Sequence, residues 1–247
     1  MPQRHDAFAT FHRWLIFFGL VVFGAVIAVR QGWFGTLLQT DNSHLSALIV
    51  VMLLLASLDA GRRAYQLGRE LQRTLEIIAQ ARREPAIFHR EDDGEVRFAD
   101  ARQAGSFAHD HLLLLANKTY RNGALCSQDL LLERLENALG RGHETGWFLA
   151  ELMIRLGLLG TVIGFIFMLG SMANVDSVDL QALQQLLTNM TAGMRVALYT
   201  TLTGLGAGIL LSFQYRLLDA GVDRLMAEII ELSEVHAIDH LKRLVQD

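Results

Sequence analysis

The sequence is poor in residues that cross-link a chain, bend helices or carry charge. Cys126 is its one cysteine, so no disulfide can form within the chain. The two prolines, Pro2 and Pro85, lie outside the long apolar segments, so no membrane helix is kinked by proline. Charged residues make up 19% of the chain and hydrophobic residues 51%, a balance that favours a membrane protein. The net charge of −4 gives no case for nucleic-acid binding.

Motifs of several common enzyme classes are also missing. The sequence contains no GxxxxGK[ST], HExxH or CxxC pattern, so the familiar signatures of ATPases, zinc proteases and thiol redox proteins are absent. His109 with His111, and His236 with His240, have spacings that a metal could use, but each pair lacks further ligands. We therefore expect no enzyme activity, no metal site and no cofactor.

Four apolar segments remain as candidate membrane spans, which take about 20 apolar residues in a helix, although the apolar core of the second, residues 45–58, is short. They cover residues 14–34, 42–59, 152–175 and 195–215. The first could instead be a signal peptide, but no small-residue cleavage site follows and Arg30 interrupts the expected position. The sequence predicts an all-α, polytopic membrane protein, with four transmembrane helices extended into a helical cytoplasmic domain.

Basic residues flank these segments unevenly. Six arginines follow the second segment within residues 62–83, whereas residues 171–192 contain two aspartates and no Lys or Arg. The positive-inside rule then places both termini in the cytoplasm. The expected parts are an N-terminal transmembrane pair (1–60), a cytoplasmic helical insert (61–146), a pore-forming transmembrane pair (147–216) and a cytoplasmic C-terminal helix (217–247).

Apolar spacing predicts helices outside the membrane as well. The second membrane helix should continue into the cytosol, and the last should continue with a packing seam. The first pattern consists of Ala64, Leu67, Leu71, Leu75 and Ile78, and the second of Leu218, Val222, Leu225, Ile229 and Leu232.

The insert between these patterns is predicted to contain further helices and one short extended piece. The extended piece covers residues 96–98, and a helix through residues 112–115 should be broken at Asn122-Gly123. Ser127 is a candidate N-cap for a helix that ends at Gly140. A separate long helix is then expected to begin near Glu144 and enter the membrane.

Small and hydroxylated residues share one face of each of the last two segments. Their hydroxyl groups could line a pore and bind water or a partner's carboxyl group. They could equally be close-packing positions, with each threonine bonded back to its own helix, and the stripes alone favour this interpretation. Neither segment has Asp, Glu, His or Lys in its core, so a proton path would need a partner's carboxylate.

Two sequence motifs in these segments resemble the paired signature of the MotA/TolQ/ExbB proton-channel family. They are LLGTVIG at residues 158–164 and GMRVALYTTLTGL at residues 193–205, within a resemblance that covers residues 144–218. The arrangement of two early spans and a large insert is similar to MotA, whereas the two sequence motifs are more similar to TolQ and ExbB. Val196 stands where TolQ and ExbB usually have Glu, and Ala192 where Pro is frequent, which indicates a divergent member.

This resemblance implies a homopentamer in the bacterial inner membrane, in contact with lipid. The pentamer would surround a dimer of a single-span, Asp-bearing protein similar to MotB, TolR or ExbD, and ion flow would drive mechanical work. The family's pore threonines correspond to Thr161 and Thr201. The remaining residues that we assign to the pore lining are Gly157, Gly164, Ala197, Thr200, Thr203, Gly204 and Gly208.

Three charged residues lie at the expected pore mouths. Glu151 and Arg155 form a favourable helix pair at one end, as a surface pair or as a gate, and Arg195 lies at the other end. The alternative function is a non-conducting membrane scaffold that binds a partner through its cytoplasmic helices. The sequence leaves open whether the ion is H⁺ or Na⁺ and which machine is driven.

Overall fold

The computed structural model describes residues 7–32, 44–83, 87–90, 96–98, 104–124, 127–172 and 180–246. These residues form six α-helices, one two-stranded sheet and one π-helical turn. The helices are α1 (Ala9–Arg30), α2 (Leu45–Ala81), α3 (Phe107–Asn122), α4 (Asp129–Met172), α5 (Leu180–Glu231) and α6 (Ile238–Gln246). The strands are β1 (Phe88–Arg90) and β2 (Val96–Phe98), and the π-helical turn Leu232–His236 joins α5 to α6.

Four of these helices have the length and composition of membrane spans, which confirms the all-α, polytopic prediction. The helical segments concerned are Ala9–Arg30, Leu45–Ala81, Gly142–Gly170 and Leu183–His236. Helix α1 begins at Ala9, before the predicted apolar segment, which starts at residue 14. The ends of the predicted spans at residues 33–34, 42–43 and 173–175 lie outside the described residues.

Contacts divide the chain into two compact units. The insert unit comprises residues 1–13, 62–143 and 217–247, and the span unit comprises residues 14–61 and 144–216. Helices α1, α2, α4 and α5 each contribute residues to both units.

The insert unit has its own apolar core, built around α3. This helix packs against β2 and α6, and Leu112, Leu225 and Leu232 are completely buried. The extended piece predicted at residues 96–98 is present as β2, which pairs with β1 in antiparallel register, Phe88 opposite Phe98. Helix α3 ends as predicted at Asn122, because Gly123 adopts a left-handed conformation with φ of 64°.

Both predicted apolar seams are confirmed as packed helix faces. On α2 the residues Ala64, Leu71 and Ile78 are buried, and the helix continues to Ala81. On α5 and the following turn, Leu218, Leu225, Ile229 and Leu232 are completely buried. The expected helix end at Glu84-Pro85 lies outside the described residues.

The predicted break between Gly140 and Glu144 is wrong, since α4 is one helix from Asp129 to Met172. Glycine disfavours a helix interior, which is why the sequence indicated a break. The Arg63 guanidinium group packs against Gly142 instead, in the space that a Cβ atom would take. Ser127 lies just before α4, and its Oγ accepts a hydrogen bond from the N–H of Asp129 over 3.3 Å.

Candidate functional site

Within the span unit, α4 and α5 touch through their glycines. A Cβ atom added to Gly204 would lie 2.7 Å from Gly157 Cα and 2.7 Å from the carbonyl oxygen of Met153. A Cβ atom added to Gly164 would lie 2.7 Å from the carbonyl oxygen of Gly193. Small residues at such contacts let the backbones of membrane helices approach closely. The helix pair therefore tolerates no side chain at these positions without movement of the backbone.

Most of the residues that we assigned to the pore lining lie at this helix contact. Those that are buried there are Gly157, Gly164, Ala197, Thr200, Gly204 and Gly208. Thr161, Thr201 and Thr203 are only partly buried in the single chain. Sequence reasoning did not assign Gly160 or Gly193 to the site, although the spacing of Gly157, Gly160 and Gly164 is a signal for close packing.

The hydroxyl groups of the four threonines have different partners. Thr161 donates to the Leu158 carbonyl oxygen (2.5 Å) and Thr203 to that of Tyr199 (2.8 Å). Thr200 donates to the carbonyl oxygens three and four residues earlier, at 3.1 Å and 2.9 Å. Thr201 Oγ1 instead donates to the carbonyl oxygen of Gly157 on α4, over 3.1 Å. Thr201 is thus the member of this set whose hydroxyl joins the two helices.

A hydroxyl group that donates its proton to a carbonyl oxygen keeps lone pairs that can accept a hydrogen bond. The half-buried Thr161 and Thr201 can therefore still accept a bond from water or from a protonated carboxyl group. Residues 156–172 and 196–215 contain no Asp, Glu, His or Lys. These two stretches therefore offer hydroxyl groups as hydrogen-bonding groups, without a carboxylate or imidazole of their own.

The charged residues next to the apolar parts of these helices are exposed. Arg155 Nη2 lies 2.5 Å from Glu151 Oε1, one turn apart on α4, with both side chains about 60% exposed. An exposed pair of this kind contributes little to stability, because water screens it. Arg195 is also exposed. Their positions agree with a role at the water interface, where long charged side chains are favoured.

A buried polar network that the sequence did not predict joins α1, α2 and α5. Trp14 Nε1 donates to Gln214 Oε1 over 2.9 Å, and Gln214 Nε2 donates to Ser57 Oγ over 3.0 Å. Gln214 is completely buried. Hydrogen bonds between membrane helices specify how the helices pack. The only signal in the sequence was that Gln214 and Ser57 are isolated polar residues in apolar segments.

The histidine pairs are engaged in hydrogen bonds within the insert unit. His111 Nε2 bonds to Gln128 Oε1 (3.1 Å), and His109 Nδ1 lies 3.1 Å from Asp110 Oδ1. His236 Nε2 contacts Arg82, and His240 Nε2 donates to the carbonyl oxygen of Ala81. No three His, Cys, Asp or Glu side chains among the described residues are grouped to hold a metal ion.

Comparison with known families gives a match over part of the chain. Residues 124–231 match the model of a family described as the MotA/TolQ/ExbB proton channel family. The matched segment contains all of α4 and α5, and so includes the whole glycine contact and all four threonines. Comparisons with curated proteins and with solved structures find no match.

Proposed function

From its membership of the MotA/TolQ/ExbB proton channel family, which the match over residues 124–231 supports, we propose that the chain is a proton-conducting stator subunit. Five copies surround a dimer of a single-span partner similar to MotB, TolR or ExbD, in the bacterial inner membrane. Ion flow through this complex drives mechanical work. The observation that carries the proposal is the position of Thr201, whose hydroxyl lies at the glycine contact of the two matched helices.

The composition of the two helices supports a partner that carries the titratable group. An ionisable side chain inside a membrane is costly and usually marks an ion path. Residues 156–172 and 196–215 have no carboxylate, so the carboxylate must come from another chain. Half-buried threonine hydroxyls can then accept a bond from that carboxyl group when it is protonated.

The helix contact supports a role in transmitting force. Gly157 and Gly204 hold α4 and α5 at backbone distance, and Thr201 adds a hydrogen bond between them. Both helices continue unbroken beyond their apolar parts, α4 from Asp129 and α5 to Glu231. A displacement of the partner against these helices is therefore passed along continuous helices and is not lost in a flexible loop.

The proposed topology has both termini and the insert in the cytoplasm, with divisions near residues 60, 146 and 216. The uneven distribution of arginines supports this orientation. The compact units change between residues 61 and 62, 143 and 144, and 216 and 217, which supports divisions close to those positions.

Replacement of Thr201 by Val tests the proposal, because Val keeps the shape of the side chain and removes its hydroxyl group. We expect the proton flux through native membrane vesicles to fall by about tenfold or more, equivalent to about 1.4 kcal/mol in the barrier. The complex should still assemble. Flux would be followed with a pH-sensitive dye, as the difference from vesicles of a strain that lacks the gene.

Thr191→Val is the matched control, since Thr191 is exposed and donates to the Leu187 carbonyl oxygen of its own helix over 2.8 Å. This variant should keep the flux of the unmodified protein. Full flux in Thr201→Val would contradict the proposed path.

A non-conducting scaffold is the second candidate, and the hydrogen bonds of Thr161, Thr200 and Thr203 to their own helix favour it. In a scaffold the stripe of small residues serves packing alone. The scaffold predicts that the protein's cellular function survives collapse of the membrane potential. The stator predicts that this function is lost.

A further inference from the structure

His143 and Asp219 form a close pair in the insert unit. His143 Nδ1 lies 2.6 Å from Asp219 Oδ1, a bond between α4 and α5. The His143 side chain is 12% exposed and that of Asp219 is 40% exposed, so the pair lies at the edge of the protein interior. Both residues belong to the insert unit and lie next to the span unit along their helices, since the span unit begins at residue 144 and ends at residue 216.

The pair borders a cavity that is large enough to hold several water molecules. This cavity has a volume of about 470 Å³, and its polar lining is provided by Glu136, His143, Asp219 and Asp223. Three carboxylates around one cavity produce a negative potential, which raises the local concentration of protons.

The charged groups that face His143 come from three helices. Arg63 and Glu70 of α2 share a neighbouring cavity with His143, and Arg63 also packs against Gly142. Helix α4 itself contributes Glu136, and α5 contributes Asp219 and Asp223. Carboxylates outnumber cations in this set, with Glu70, Glu136, Asp219 and Asp223 against Arg63.

We propose that the His143–Asp219 pair is the group that releases protons on the cytoplasmic side, an inference that rests on the proposed channel function. An imidazole can both accept and donate a proton, and a carboxylate bonded to Nδ1 fixes the orientation of the ring and leaves Nε2 to accept the proton. A hydronium ion that leaves the conduction path transfers its proton to His143, which becomes imidazolium. The imidazolium then transfers a proton to water or buffer in the cavity, so that only N–H and O–H bonds form and break.

The test compares His143→Ala with His143→Gln in inside-out vesicles of native membranes, which contain the complex as it exists in the cell. Respiration acidifies the lumen, and the rate at which acid leaves after respiration stops measures proton flux. We expect both variants to lose about tenfold or more of this flux. Imidazole added to the medium should restore flux in His143→Ala, because it replaces the missing side chain as proton acceptor.

Two controls separate this role from a structural one. His89→Ala removes an exposed strand histidine and should keep normal flux. Imidazole should not raise the proton flux in Thr201→Val, since this substitution interrupts the proposed proton path within the membrane, where imidazole does not replace the lost hydroxyl group. A pair that only ties α4 to α5 would be preserved by glutamine, which can still bond to Asp219.

Normal proton flux in His143→Gln would overturn the proposed release role of His143, and so would a His143→Ala variant whose flux imidazole does not restore. Neither result would contradict the proposed channel function. Absence of gene-dependent flux in the unmodified vesicles would overturn both proposals.

Discussion

Thr200 and Thr201 are neighbours in the chain, yet their hydroxyl groups bond in different directions. Thr200 is completely buried and bonds to its own helix, whereas Thr201 is partly exposed and bonds to α4. The sequence predicted that hydroxyl groups matter on this face, but it gave both threonines the same role. The difference depends on which carbonyl oxygen lies within reach, and that is decided by the close approach of α4 at Gly157.

A second residue, His111, makes the stability of the insert unit depend on pH. His111 is buried, and burial lowers its pKa below the ordinary value of 6.5, while the hydrogen bond to Gln128 acts in the opposite direction. The folded chain therefore keeps His111 neutral at a pH where the unfolded chain has bound a proton. The associated stability is complete above pH 6.5 and is lost as the pH falls through the lowered pKa.

We expect the melting temperature of the purified protein to fall between about pH 7.5 and about pH 5.5, and to fall less in His111→Gln. His89→Gln, which changes an exposed histidine, should show the same fall as the unmodified protein. An equal fall in His111→Gln and the unmodified protein would show that His111 does not contribute.

At the scale of elements, the helices α4 and α5 depend on glycines for two different reasons. Gly204 and Gly164 let the two backbones touch, and Gly142 and Gly146 leave room for the side chains of Arg63 and Tyr215. Gly206, in contrast, has nothing within 4 Å of its added Cβ position. Glycines in one helix therefore differ sharply in what a substitution costs.

Gly204→Ala should destabilise the protein by about 1–3 kcal/mol, because the new methyl group meets the backbone of α4. Gly206→Ala adds the same methyl group to an open position, and it should be neutral or stabilising by up to about 1 kcal/mol. Thermal unfolding of the two variants in detergent measures the difference. Equal melting temperatures would show that α4 and α5 do not pack at Gly204.

Hydropathy and periodicity were sufficient to predict the number of spans, the seams of α2 and α5 and the strand at residues 96–98. They failed for the continuity of α4, because the cost of glycine in a helix is offset here by packing of Arg63 at Gly142. Arg63 is far from Gly142 in sequence, so local signals could not reveal this contact.

At the scale of the whole molecule, the least predictable feature is the network of Trp14, Ser57 and Gln214. Gln214 bonds to residues 200 and 157 positions away, on two different helices. No periodic pattern contains information about such pairs, which arise only when α1, α2 and α5 come together. The aromatic contact of Phe17 with Phe213, with centroids 4.4 Å apart, reinforces the same arrangement.

The whole chain also leaves much apolar surface uncovered. On α4 and α5 the exposed side chains include Leu158, Val162, Phe165, Leu198, Leu202 and Ile209. Exposed apolar residues at this density are expected where lipid or further protein chains cover the helices. The proposed pentamer and its partner dimer would cover part of this surface, and lipid would cover the rest.

The native mass of the complex, purified in mild detergent with and without its single-span partner, tests the central claim most directly. The stator account predicts five copies of this chain, which take up two partner chains when the partner is present. A monomer or dimer that ignores the partner would contradict that account and favour the scaffold.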